Sequence, residues 1–204
     1  MDRMVQGLIF YYLCWGLWVV ATFLMSKTRK RIVASMYVLI LLISSGSSWE
    51  LFRYSGSYAV LVILVFSMHI ILHYQKVFYP TLASLFIGVG YAGILLFEKV
   101  VPVWMMMPRL VIVGVLSFVV VSMLVEPVFL KIAVWGFASA LGECLYTIIL
   151  SGYGYAEDVG DWAYLDVYSL VCSLVILNSG FVKVSEILEQ TVTNRIKRKV
   201  GFRS

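Results

Sequence analysis

"KIAVWGFASALGECLYTIIL", residues 131–150, carries one carboxyl group, Glu143, in a stretch otherwise uncharged after its opening lysine. About twenty predominantly apolar residues are what an α-helix needs to cross a bilayer's hydrocarbon core. There every backbone N–H and C=O must be bonded within the segment. The run extends from about 128 to 150 and predicts a transmembrane helix.

Six more runs of this kind flank it, at about 4–25, 32–52, 57–74, 80–97, 103–125 and 162–183. The connections between them are short, so the expected fold is all-α: one polytopic transmembrane bundle of about seven spans, followed by a basic tail over 184–204. Pro80, Pro102 and Pro127 fall near span starts, where a missing N–H costs least. Pro108 and Arg109 mark an alternative start of the fifth span, with "VPVWMMM" before them as an interfacial segment. The first run is too long for a signal peptide, and its positive flank "KTRKR" follows it instead of preceding it.

Composition agrees with this reading. Of 204 residues 62% are hydrophobic and 13% charged, against about a quarter charged in soluble domains. The net charge of +5 comes from residues concentrated beside the spans and in the tail, a pattern of topology and lipid charge that argues against nucleic acid as a partner. With the N-terminus outside, Lys27, Arg29, Lys30, Arg31, Lys76, Lys131, Lys183, Arg195, Lys197, Arg198, Lys199 and Arg203 lie inside. Only Arg3, Arg53, Lys99 and Arg109 then lie outside. Because positive loops stay in the cytoplasm, this sets an outside N-terminus and a cytoplasmic C-terminus. The acidic loop "SGYGYAEDVGDWAY" falls outside. In the tail, Val184, Leu188 and Val192 continue the last span as a partly amphipathic helix. Arg195, Lys197, Arg198 and Lys199 are candidate contacts for anionic lipid head groups, or simply a topological anchor.

Motifs suggestive of chemistry lack their context. "GVGYAG", Gly88–Gly93, fits GxGxxG, but no strand precedes it. Ser84, Gly88 and Ala92 instead form a small-residue stripe suited to close helix packing. "SSGSS", Ser44–Ser48, and "YSGSY", Tyr54–Tyr58, contain serines. The histidines, His69 and His73, lie at the opposite end of the third span from "SSGSS", separated in depth by roughly 10 Å or more at 1.5 Å per residue. A serine nucleophile needs its base within reach. The two histidines share a helix face without a third ligand, and His69 is expected to bond a neighbouring helix. Cys14, Cys144 and Cys172 lie in apolar runs and read as small buried hydrophobes. No catalytic, metal or cofactor site is expected, and the protein reads as non-enzymatic.

Glu143 is the informative residue. Its helical neighbours Gly136, Ser139, Ala140, Tyr146 and Thr147 form a small and polar face that should pack inward, leaving Trp135, Leu141, Leu145 and Ile149 mostly toward lipid. Matching depths on the other spans gives Tyr11, Tyr12, "SSGSS", Tyr91, Gly93, Tyr168 and Ser169. Together these suggest a polar layer, with Asp166 one turn farther out and connecting it to water. An ionised carboxylate costs several kcal/mol at such a depth unless a cation approaches, and no Lys or Arg is expected at this level. Two readings stay open: Glu143 as a proton or cation site in a small transporter or proton-coupled permease, with Asp166, Tyr168 and Ser169 beside it, or Glu143 as a protonated hydrogen-bond donor to a neighbouring helix.

In "YYLCWGLWVVATFLM", residues 11–25, and in its pattern of short-looped, aromatic-rich spans, the chain resembles the YphA family of small integral membrane proteins from Bacillus-like spore formers. The resemblance implies a bacterial plasma-membrane address and no site residues. It leaves a structural or partner-binding role in the cell envelope as the leading expectation, with membrane lipids and another membrane protein as candidate partners.

Overall fold

A computed structural model of the chain describes residues 6–51, 54–101, 108–155 and 157–201. Their order is α1 (Leu8–Val19) with a π-helical continuation Val20–Leu24, α2 (Arg29–Ser45), β1 (Ser48–Leu51), β2 (Tyr54–Ser57), α3 (Tyr58–Leu72), α4 (Phe78–Val100), α5 (Arg109–Leu124), α6 (Val128–Gly152) and α7 (Trp162–Gly201). Among the described residues the fold is all-α apart from the small hairpin, and each of the seven apolar runs contains most of one α-helix, with α2 ending short of its run and α7 continuing past its own.

Three of the described helices are long and apolar enough to cross a membrane by length and composition: Phe78–Val100, Val128–Gly152 and Trp162–Thr191. Four others, Leu8–Leu24, Arg31–Ser45, Tyr58–Leu72 and Arg109–Leu124, are shorter and apolar. A 16-residue helix such as α5 rises about 24 Å at 1.5 Å per residue.

The second run does not stay helical to residue 52, as expected from hydropathy. The Ser44 and Ser45 hydroxyls bond back to the Ile40, Leu41 and Leu42 carbonyls, and Gly46 caps α2. Side chains that compete for backbone acceptors, followed by glycine, favour termination. The following residues form an antiparallel hairpin pairing Ser48 with Ser57 and Leu51 with Tyr54. This hairpin docks on the α6–α7 connection, where Ser57 N–H donates to the Val159 carbonyl at 3.0 Å and Val159 N–H to Ser55 at 2.8 Å. Pro108 stands immediately before α5, which agrees with the later of the two starts considered. Pro102 and the rest of "VPVWMMM" beyond Val101 lie outside the described residues.

The core is organised around α6, which packs against α3, α4, α5 and α7. Its approach to α4 depends on glycine. A Cβ at Gly88 would sit 2.8 Å from the Ala138 carbonyl oxygen, and one at Gly142 would sit 2.8 Å from the Gly88 carbonyl oxygen. Ser84, Gly88 and Ala92 are all buried, so the small-residue stripe is a helix-packing face. Trp135 is a correction: it is buried, not lipid-facing, and meets Tyr91 edge-on with ring centroids 5.7 Å apart. α6 is covered on more sides than a single inward stripe would allow.

Candidate functional site

Glu143 lies on α6 beside Gly142, and that glycine brings α4 close. Tyr91, one turn from Gly88, therefore reaches Glu143, and its hydroxyl donates to Oε1 at 2.8 Å. Glu143 is 3% exposed. Gly136, Ser139, Ala140, Tyr146 and Thr147, the neighbours expected to face inward, are all buried with it.

The expectation that no cation reaches this depth is overturned. Arg109, the first residue of α5, places Nη2 3.7 Å from Glu143 Oε1 and Nε 3.6 Å from Glu98 Oε2 at the end of α4. These separations are Coulombic contacts, longer than direct hydrogen bonds. A cation at a helix N-terminus opposes the positive end of the helix dipole, so the two carboxylates offset a placement that would otherwise be unfavourable. Counting depth from span centres missed it, because α5 begins at residue 109 and its first residue lies level with Glu98 in the last turn of α4 and with Glu143 in the second half of α6. The clue available in the sequence was the break at Pro108.

The acidic loop closes this end of the bundle. Glu157 pairs with Lys99, Asp158 accepts from the Ser55 hydroxyl, and Asp161 accepts from Tyr164 N–H at 2.8 Å, capping α7. Asp161 also lies near enough to act electrostatically on both Glu143 and Arg109. Gly160 has φ +75°, a left-handed conformation suited to glycine. A Cβ there would collide with the Val60 side chain.

The other members of the expected polar layer are distributed among separate contacts. Asp166 accepts from Gly7 N–H at 2.8 Å and Phe10 N–H at 2.7 Å, so it caps α1 from across the bundle. Tyr168 exchanges a 2.8 Å hydrogen bond with Tyr37, Ser169 bonds back to the Asp166 carbonyl, and Tyr11 meets Ser45 at 3.4 Å. Tyr12 and Gly93 are exposed. Thus Asp166, Tyr168 and Ser169 do not join Glu143 in one network: Asp166 bonds to α1, Tyr168 to α2, and Ser169 within α7 itself.

Cys14 and Cys172 are buried free thiols and Cys144 is half-buried. His69 and His73 lie at the surface. Their rings are 4.3 Å apart, and His73 Nδ1 lies 3.0 Å from the His69 carbonyl of the same helix. No group of three metal-ligating side chains occurs among the described residues.

The family model for YphA-like integral membrane proteins matches residues 6–201. The chain belongs to this family. The match includes every helix described above, so the Glu143, Tyr91, Arg109 and Glu98 cluster lies within the family's integral membrane region. No curated protein and no solved structure matches the chain. The basic residues Arg195, Lys197, Arg198 and Lys199 fall in the last turns of α7, where their side chains lie outside the described part.

Proposed function

We propose that this YphA-like protein is a non-enzymatic, seven-span component of the bacterial cell membrane that holds partners or supports the envelope. The observation carrying this reading is the closure of its buried charge cluster. Glu143 is 3% exposed, hydrogen-bonded to Tyr91 and faced by Arg109. That arrangement ties α4, α5 and α6 together at one end of the bundle and suits a fixed structural ion pair better than a carboxylate that must exchange protons with water. α7 supplies the surface for partners. From Leu177 onward it presents exposed Leu177, Phe181, Val184 and Leu188 and leads to the basic cluster, a combination suited to a lipid surface or another membrane protein.

The proposed orientation places the hairpin and the Glu143 cluster outside and the 27–31 basic segment inside. In a background with the native cysteines replaced by alanine, an impermeant maleimide added to intact cells should label Tyr155→Cys and spare Ser26→Cys. The reverse pattern would invert the topology. The alternative is a small proton-coupled permease using Glu143. Proteoliposomes holding a pH gradient should leak equally with wild type and Glu143→Gln. A decay that requires Glu143 would overturn the structural reading in favour of transport.

A further inference from the structure

A groove of about 560 Å³ runs between α2 and α3 on the outer face of the bundle. Its walls are Val33, Met36 and Ile40 from α2 and Tyr58, Leu61 and Val65 from α3, all exposed. Tyr37 and Phe66 also line it, stacked with ring centroids 3.9 Å apart and planes inclined by 16°. Tyr37 is held by its bond to Tyr168 on α7, so the groove has an ordered aromatic wall.

The two ends differ in charge. Arg29, exposed, lies four residues before Val33 and seven before Met36, on the same helical stripe as the α2 wall. At the corresponding end of α3, His69 lines the groove and the His73 ring lies 4.3 Å from it, tilted by 44°. Lys27 and Arg31 lie in the same basic segment. An apolar slot open to the bilayer, with cationic and imidazole N–H groups at one mouth, matches an acyl chain that ends in a phosphate.

We infer that the α2–α3 groove binds one anionic glycerophospholipid. One acyl chain lies along Met36, Leu61 and Val65, and the head-group phosphate meets Arg29 and the His69–His73 pair. Assignment to the cytoplasmic leaflet rests on the orientation proposed above. Binding itself does not, because the basic residues stand at the same mouth of the groove in either orientation. The site is also distinct from the basic cluster at 195–199, which is far along α7.

Native mass spectrometry of the full chain in mild detergent, with phosphatidylglycerol and phosphatidylcholine added in turn, tests this inference. One phosphatidylglycerol should bind per chain with a preference of about fivefold or more, the ratio one basic residue near a lipid surface supports. Val65→Trp and Met36→Trp, each filling the groove from its exposed rim, should remove the adduct. Their thermal midpoints should stay near wild type, showing that the fold is retained. Arg29→Gln should bring the two lipids to equal occupancy, while Gln at Arg195, Lys197, Arg198 and Lys199 together should leave the adduct in place. An adduct that survives both Trp variants, one lost only with the tail substitutions, or a lipid-free dimer dispersed by Val65→Trp would each overturn the inference. Because the measurement does not depend on membrane orientation or proton flux, its failure is distinguishable from failure of the functional reading.

Discussion

Glu143 and Asp166 are both buried acids, yet their surroundings give them different work. Asp166 has each carboxylate oxygen bonded to a backbone N–H at the start of α1. There a negative charge satisfies orphan donors and complements the helix dipole. Glu143 has a phenol and a guanidinium as its neighbours. A charge so buried is tolerable only when paired and hydrogen-bonded. The sequence made Glu143 conspicuous, since an acid in an apolar run has few inexpensive explanations. It did not make Arg109 conspicuous as its partner, because that pairing depends on where α5 starts and how its first turn meets α6. Asp166 was misread for a similar reason: a helix cap supplied from a different helix leaves no local sequence signature.

At the scale of elements, the α4–α6 contact sets the geometry of the cluster. Gly88 and Gly142 let the two backbones approach, and the approach brings Tyr91 to Glu143. Gly88→Ala would drive a methyl group into the Ala138 carbonyl and should destabilise the bundle by about 1–3 kcal/mol. Gly90→Ala, two residues away with open space around its Cβ, should be neutral or stabilising by up to about 1 kcal/mol, since alanine is the better helix former. Denaturation midpoints in mixed micelles distinguish the two substitutions. Equal effects would remove the packing explanation for "GVGYAG". This stripe was legible because a four-residue recurrence of small residues directly encodes a helix face. The hairpin was not, because Trp49 and Leu51 are as apolar as a span's end, and the pairing of Ser57 with Val159 is a contact across about a hundred residues.

For the whole molecule, the positions of the seven helices followed closely from hydropathy, because the cost of unpaired backbone in lipid permits few alternatives. Arrangement around the central helix did not follow from it. Trp135 looked suited to lipid on a helical wheel, but α6 has neighbours on several sides and buries it. The Glu143 cluster joins three of those helices, so its contribution belongs to the bundle as a unit. A double-mutant cycle on Glu143→Gln and Arg109→Met, read as unfolding free energy in mixed micelles, tests this lock most directly. The account predicts that Arg109→Met alone costs about 3 kcal/mol, because it leaves a buried carboxylate without its cation. It also predicts that the double variant costs less than the two singles combined by at least about 1 kcal/mol. Additive losses would show that the two side chains are energetically independent and would contradict the structural role assigned to Glu143.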